Sequence, residues 1–309
     1  MKLLSLVVPV YFEQECIEEF ISQTVAHLDE HEQNFEIVFI DDGSTDKTVE
    51  LIKEHAKKDT RIKLLEFSYN HGKELAVTAG ISHARGDAIV YMDPDLQDPP
   101  EKIIDFVNEL DKGYDLVFGI REERYGNPID KLLSETFWFI IRRLSGEKIP
   151  KGIAVMRIFN RKFADQFLKY SEVNRFIEGI FMDISYNWTT INVPHRQRFA
   201  GVSKFNFTRK LALAMRAVLD YSDKPLEAVS LFGFFIFALG LIAAFIVLTL
   251  VILGVDFKLG WPSMFTILVM GFGIQLFLIG VVAKYIGNIY KEVKRRPLFS
   301  IKETTNIDE

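Results

Sequence analysis

The sequence holds one cysteine, Cys16, among 309 residues. That excludes a disulfide framework and any cysteine-based zinc site, and Cys16 reads as a small buried residue of the first helix. No Gly-x-Gly-x-x-Gly follows the first apolar run, and no Gly-x-x-x-x-Gly-Lys-Ser/Thr occurs. A Rossmann dehydrogenase or a P-loop kinase would therefore lack its phosphate-binding element. There is no Gly-x-Ser-x-Gly elbow and no Cys/His pair. The six histidines show no metal-ligand spacing. Positive charge is not in excess: the net charge of −5 argues against a general nucleic-acid binder. The apolar start lacks a small-residue cleavage site and runs straight into charge, so it reads as a buried strand, not a signal peptide. No internal repeat or low-complexity tract is present.

What is abundant is apolar surface. Hydrophobic residues make up 49% of the chain, with 27 Phe, and the mean hydropathy is +0.11. The excess lies after about residue 226. Val229 to Leu253 is 25 residues without a charge, and Pro262 to Ala283 is 22. Each exceeds the ~20 residues a helix needs to cross hydrocarbon. A buried helical hairpin in a soluble core is the alternative, and length argues against it. Lys204, Arg209, Lys210, Arg216 and Lys224 precede the pair, and Lys284, Lys291, Lys294, Arg295 and Arg296 follow. The positive-inside rule then places both termini in the cytoplasm.

The first 125 residues alternate β-rich apolar runs with helical patterns. Strands are expected over Ser5 to Tyr11, Phe35 to Ile40, Arg61 to Phe67, Ala88 to Met92 and Leu116 to Ile120. Helices are expected over Glu15 to His31, from a cap at Ser44 or Thr45 through His55, over Lys73 to Ala84, and from Pro99-Pro100 to near Gly113. This order implies a mainly parallel sheet covered on both faces, with ligands at the carboxyl ends of the strands. Farther on, Leu132, Leu133, Phe137, Ile140, Ile141 and Leu144 fall near one helical face. That helix reads as core or interfacial. A second amphipathic stretch, about Thr208 to Tyr221, leads into the first span and reads as interfacial.

Chemistry concentrates at the strand ends. Asp93-Pro94-Asp95-Leu96-Gln97-Asp98-Pro99-Pro100 begins where a buried strand stops. Crowded carboxylates there repel one another unless a cation relieves them, and oxygen ligands select a hard ion such as Mg²⁺ or Mn²⁺. The bland alternative is a loop using Asp as turn former and helix cap. Asp41-Asp42-Gly43-Ser44 forms a second cluster, suited to a ribose or base or to a capped turn in equal measure. Lys73, Arg121, Arg124, Arg196, Arg198 and Lys204 are the basic candidates for phosphate. Each alone is weak, because scattered Lys and Arg are usually solvated.

Together these residues resemble family 2 glycosyltransferases of the GT-A fold, within them the polyprenyl-phosphate enzymes: bactoprenol glucosyltransferases and dolichol-phosphate mannose synthases. The matching stretches are Val8 to Glu15, Asp41 to Asp46, Gly72-Lys73-Glu74 with Ala76 and Gly80, Asp93 to Pro100, and Arg198 with Gly201 to Phe205. The paired apolar spans, with Tyr285-Ile286-Gly287 and a basic tail, favour the bactoprenol branch. The resemblance implies a GT-A type mainly parallel sheet sandwiched by helices. This catalytic domain would span 1–203, followed by an interfacial helix and linker (204–227), a transmembrane hairpin (228–287) and a basic tail (288–309).

It also implies roles. Pro9, Tyr11, Glu13, Asp41 and Asp42 would line the nucleoside, with Lys73 near it. Asp93 and Asp95 would hold Mg²⁺ or Mn²⁺ and the diphosphate. Gln97 and Asp98 would lie near the sugar, and Arg121, Arg198, Ser203 and Lys204 would face phosphates. A multi-pass protein of the inner membrane that forms a homo-oligomer is expected. Its donor would be a nucleotide-sugar and its acceptor undecaprenyl or another polyprenyl phosphate.

The chain departs from many relatives in the middle region. They carry Gly-Asp-Phe-Arg-Leu-Met where this sequence has Ala154-Val155-Met156-Arg157-Ile158-Phe159, and a basic residue where Glu178 precedes Gly179. A processive polysaccharide synthase is a competing reading, but its Gln-x-x-Arg-Trp is absent. A non-catalytic membrane scaffold is another, against which the intact Asp93-x-Asp95 speaks.

Overall fold

The computed structural model describes residues 3–121, 150, 152–184, 187–194, 224–254 and 260–307. The expected helix near residues 130–144, the amphipathic stretch at 208–221, and Arg124, Arg196, Arg198, Ser203, Lys204 and Lys258 lie outside them.

The chain forms two compact units, 1–207 with 297–309, and 208–296. In the first unit, strand β1 (Leu4–Val10) leads to helix α1 (Ile17–Glu30), β2 (Phe35–Asp41), α2 (Thr48–Lys58), β3 (Ile62–Phe67), α3 (Lys73–His83) and β4 (Ala88–Tyr91). A 3-10 turn at Pro100–Lys102 opens α4 (Ile103–Leu110), followed by β5 (Leu116–Ile120), β6 (Ile153–Asn160), α5 (Arg161–Phe167), α6 (Ile177–Ile184) and β7 (Trp188–Asn192). The last strand, β8 (Ile301–Thr305), comes from the end of the chain.

The sheet has eight strands in the order β7-β5-β6-β4-β1-β2-β3-β8. It is mixed where a mainly parallel sheet was expected. β4, β1, β2 and β3 run parallel, as do β5 and β7, but β6 enters antiparallel between β4 and β5, and β8 is antiparallel to β3. The alternating strand-helix pattern that forces parallel crossovers stops after β5, which frees the later strands from that rule.

Alternation along β1 shows how both faces are covered. Leu4, Leu6, Val8 and Val10 share one cluster with Ile17, Phe20 and Leu28 of α1, Ile52 of α2, and Ile103 and Phe106 of α4. Each such side chain contributes ~1.5–3 kcal/mol by leaving water. The other face carries α3, which lies close because Gly80 has no side chain. A Cβ there would run into Val7 Cγ1 and Ile40 Cδ1. Phe159 of β6 joins Phe163 and Phe181 in edge and tilted ring contacts near 5 Å. The helix expected to be capped by Ser44 or Thr45 instead starts at Thr48, whose N–H is taken by the Asp46 carboxylate.

The second unit comprises two long helices, α7 (Lys224–Ile252) and α8 (Trp261–Lys294). Within α8, Ile267–Lys294 is long and apolar enough to cross a membrane. In α7 the apolar stretch among described residues is the shorter Val229–Gly240. Large apolar side chains such as Leu231, Phe234, Phe245, Ile267, Leu276 and Phe277 are exposed on these helices. Surfaces of this kind need lipid or protein against them. α8 ends at Arg295, a left-handed residue whose N–H caps the Glu292 carbonyl. The stretch expected to be a basic tail thus continues α8 and then supplies β8.

Candidate active site at the carboxyl ends of the parallel strands

β1 is the point where the sheet changes direction: β2 and β3 follow on one side and β4 lies on the other. Such a switch leaves a crevice beyond the strand ends. Pairing of β1 with β4 stops at Val7↔Tyr91, whereas pairing with β2 continues to Val10↔Asp41. The end of β1 therefore runs on beyond its last partner on β4, where the loop that carries Asp93 begins.

The two adjacent aspartates at the end of β2 have different partners. Asp41 accepts N–H bonds from Gly43 and Ser44, closing its own turn. Asp42 is held by the loop after β3: it accepts from the His71 N–H at 2.6 Å, from the Gly72 N–H at 3.0 Å, and from Asn70 Nδ2 at 2.9 Å. Burial raises the pKa of both above the usual carboxylate value, against the pull of these N–H groups. Gly43, at φ +80, lets this loop approach: an added Cβ would meet backbone of Tyr69 and Asn70 at 2.9 Å. Glu74, at the start of α3, also has its pKa raised by burial.

Pro9 is buried within β1, opposite Ile40. Beyond it Tyr11 and Phe12 stand exposed as a tilted ring pair 4.4 Å apart. Phe12 takes a left-handed φ of 56, and its N–H donates to Ser44 Oγ, while the Glu13 N–H donates to Thr48 Oγ1. The loops after β1 and β2 are thereby tied together, and the Glu13 carboxylate accepts from Cys16 Sγ.

On the other side of the crevice, Asp93 pairs with Lys73, the first residue of α3. Desolvation of its ammonium works to lower the Lys73 pKa, but the Asp93 carboxylate and hydrogen bonds to Asp93 and Tyr91 raise it above its ordinary value. Asp95 is buried and accepts the Gln97 N–H, and Leu96 between them is left-handed at φ 59. Asp98 is anchored twice: Arg121 Nη2 lies at 2.6 Å and the Met156 N–H at 2.9 Å. Arg121 and Asp98 are thus brought together as a pair rather than as two independent site groups. Asp93 and Asp95 offer only carboxylate oxygen, the donor chemistry of Mg²⁺ and Mn²⁺. The Lys73 ammonium shows that the Asp93 carboxylate accepts a cationic neighbour, and with the oxygens of Asp95 the donor chemistry fits such an ion.

Tyr91 was not singled out by pattern, and Arg157 and Glu178 were noted only within a departure from relatives. Arg157 is directly opposite Tyr91 in the β4–β6 pairing. It is 2% exposed, bonds the Val155 and Ala154 carbonyls and pairs with Glu178 at 3.3 Å. Its guanidinium also lies over the rings of Tyr91, Phe118 and Phe181. Its Nη1 makes no hydrogen bond among the described residues. The departures noted in this region converge on the one Arg that the motif keeps: Glu178 supplies a carboxylate to Arg157, which also bonds the carbonyls of Ala154 and Val155. Tyr91, buried between the Lys73 and Arg157 cations, has its pKa raised by burial.

Among the described residues, His27, Glu30 and His31 bring metal-ligating atoms within 4.8 Å of one another. This corrects the reading that the histidines lack such spacing, because residues three and four apart share a helix face. They sit at the end of α1, toward the amino ends of the strands and away from the crevice.

Residues 5–168 match the family model described as Glycosyl transferase family 2. The chain is 34% identical over 305 residues to the uncharacterized glycosyltransferase YkcC of Bacillus subtilis (strain 168), covering 98% of this chain and 94% of that one. It is 34% identical over 302 residues to the bactoprenol glucosyl transferase of Shigella phage SfX, covering 97% and 98%. Among solved structures it resembles glucosyl-3-phosphoglycerate synthase of Mycobacterium tuberculosis in complex with Mn²⁺, uridine-diphosphate and glucosyl-3-phosphoglycerate. There the TM-score is 0.51 at 16% identity over 71% of this chain and 78% of that one, a likeness of fold.

Proposed function

The chain belongs to glycosyl transferase family 2, and on that premise we propose that it transfers a hexose from a UDP-sugar to a polyprenyl phosphate at the cytoplasmic face of a membrane. Undecaprenyl phosphate is the acceptor proposed, and glucose is the first sugar to test. The observation that carries the reading is the gathering of Asp42, Asp93 and Asp95 around the β1 switch point. Asp42, at the end of β2, is held by the loop that leads into Lys73, and the Lys73 ammonium reaches Asp93 beyond β4, with Asp95 two residues on. A relative named for bactoprenol glucosyl transfer aligns over nearly the whole of both chains, apolar helices included.

The reaction is one inverting displacement. A phosphate oxygen of the lipid forms a bond to the anomeric carbon as the bond from that carbon to the diphosphate oxygen breaks, and the nucleoside diphosphate leaves. A phosphate monoester has its second pKa near ~6, so the nucleophile is already anionic at neutral pH and no base need be recruited. Asp42, with Tyr11 and Glu13, orients the nucleoside. Asp93 and Asp95 would hold a divalent cation, which when bound supplies charge neutralisation at the departing diphosphate. Lys73 adds a fixed positive charge there. Asp98 holds Arg121 toward the phosphates, and Arg198, Ser203 and Lys204, outside the described residues, are assigned to the lipid phosphate.

Topology fits this reading. β8 follows α8 after six residues and pairs with β3 of the catalytic unit. The chain after α8 must therefore be on the same side of a membrane as the catalytic unit. If α8 crosses, α7 must cross as well. A homo-oligomer assembled through these helices completes the proposal.

The test is transfer by the purified protein in detergent, with UDP- and GDP-hexoses and undecaprenyl phosphate, the glycolipid being identified by mass. Glycolipid formed from UDP-glucose is expected. No glycolipid from any donor, with donor binding intact, would defeat the polyprenyl-phosphate acceptor.

A further inference from the structure

The end of the chain reaches the nucleoside side of the site. β8 covers β3, which would otherwise be a sheet edge, with the register Leu64↔Thr305 to Phe67↔Ile301. Asn306 Nδ2 locks the far end by donating to the Ala56 and Ile62 carbonyls at 2.8 and 2.9 Å. Glu303 pairs with Lys53 at 2.8 Å. At the near end, Phe299 stacks on Phe67 with centroids 5.3 Å apart. The Ser68 N–H donates to the Ser300 carbonyl, and the Ser300 N–H donates to His71 Nε2 at 3.3 Å.

These contacts end on the loop 68–72, whose Asn70, His71 and Gly72 hold the Asp42 carboxylate. The loop has no helix or strand of its own to fix it. One side of it is bonded to Asp42 and the other to the chain terminus, with the His71 ring packed between Phe67 and Tyr69.

We propose that residues 297–306 are a positioning strap for donor binding: by pairing with β3 and engaging His71, they hold the 70–72 loop in the form that orients Asp42 toward the nucleoside. The inference rests on the reading of Asp42 as a nucleoside-binding residue. Its physical basis is preorganisation. A carboxylate held by amides of a fixed loop binds without ordering cost, and one held by a loose loop must pay it on binding. Arg121 and Asp98 make none of these contacts, and Lys73, which follows the loop, is fixed separately by α3 and by its pair with Asp93, so the strap acts on donor affinity before it acts on the displacement.

The experiment uses the detergent-solubilised full chain, a chain ending at Arg296, and Ser300→Pro, which removes the N–H given to His71. UDP in the presence of Mn²⁺ is the probe, by calorimetry, alongside kcat and KM for the donor. Both variants are expected to weaken UDP binding, the truncation by roughly tenfold, with kcat at saturating donor little changed. A synthetic peptide of residues 297–309 added to the truncated chain is expected to restore affinity by strand addition. Truncation combined with Asp42→Asn is expected to lose little more than Asp42→Asn alone.

Hydrogen exchange at the His71 and Gly72 amides separates the two readings. Faster exchange in the truncated chain, with Asp42→Asn leaving UDP affinity intact, retires Asp42 as the nucleoside residue but keeps the strap's hold on the loop. Unchanged exchange and unchanged UDP affinity in both variants overturn the strap. Should the truncated chain fail to fold, Ser300→Pro decides by the same two readouts.

Discussion

The Lys73 ammonium lies 2.7 Å from the Asp93 carboxylate, joining the first residue of α3 to the loop beyond β4. That charge stands where a divalent cation would compete for the same oxygens. Lys73→Met is therefore expected to tighten Mn²⁺ binding severalfold when nucleotide is absent, measured by calorimetry. Asp93→Asn and Asp95→Ala should lower transfer on the order of a hundredfold or more with circular dichroism unchanged. Full activity of chelator-treated enzyme would remove the cation from the reaction.

Asp41 gives a pH-dependent prediction. Its pKa is raised above the usual 3.8 by burial, despite the N–H groups of Ser44 and Gly43. The folded protein thus binds this proton more tightly than the unfolded chain does. The stability it contributes is full below about 3.8 and is lost as pH rises through the raised folded value. Asp41→Asn removes that loss. Its Tm relative to wild type should be more favourable at neutral pH than near pH ~4, and an identical difference at both would refute the assignment.

The Arg157–Glu178 pair should be worth most as a pair. Glu178→Ala leaves a 2% exposed guanidinium without its carboxylate. Loss of such a charge-assisted bond costs ~1.5–3 kcal/mol, read as a lowered unfolding midpoint. Replacing both, Arg157→Met with Glu178→Ala, should recover part of the loss, because the buried charge is gone. A double variant less stable than the sum of the singles would contradict this.

The pairing of β8 with β3 sets up a test of sidedness. A cysteine at position 258 should react with an impermeant reagent added outside intact cells, and one at position 302 should react only after permeabilisation. Lys302 is well exposed on β8, so its silence in intact cells would not reflect burial. Labelling at 302 in intact cells would reject two crossings.

The first five strands were legible as apolar, β-rich runs alternating with helical patterns. Phe35–Asp41 and Leu116–Ile120 fall within a residue of their expected bounds. α3 was legible from Gly72 and Lys73, whereas the approach of Gly80 to Val7 and Ile40 came only from the structure. β8 was not legible: Ile301-Lys302-Glu303-Thr304-Thr305 is short, polar and surrounded by charge. Edge strands carry little apolar signal, since only one neighbour and one face constrain them.

The clustering of carboxylates at strand ends, the absence of Rossmann and P-loop phosphate elements, and the two uncharged stretches were set by the sequence alone, because composition and periodicity report local burial. Which aspartate does what was decided by the tertiary structure. Asp41 and Asp42 are identical and adjacent, but successive residues of an extended chain project to opposite sides. One therefore closes its own turn and the other meets the loop after β3. The Arg157–Glu178 pair, the Arg121–Asp98 pair and the contact of Ser300 with His71, 229 positions earlier, arise the same way. Each depends on register between distant segments, which no local pattern encodes.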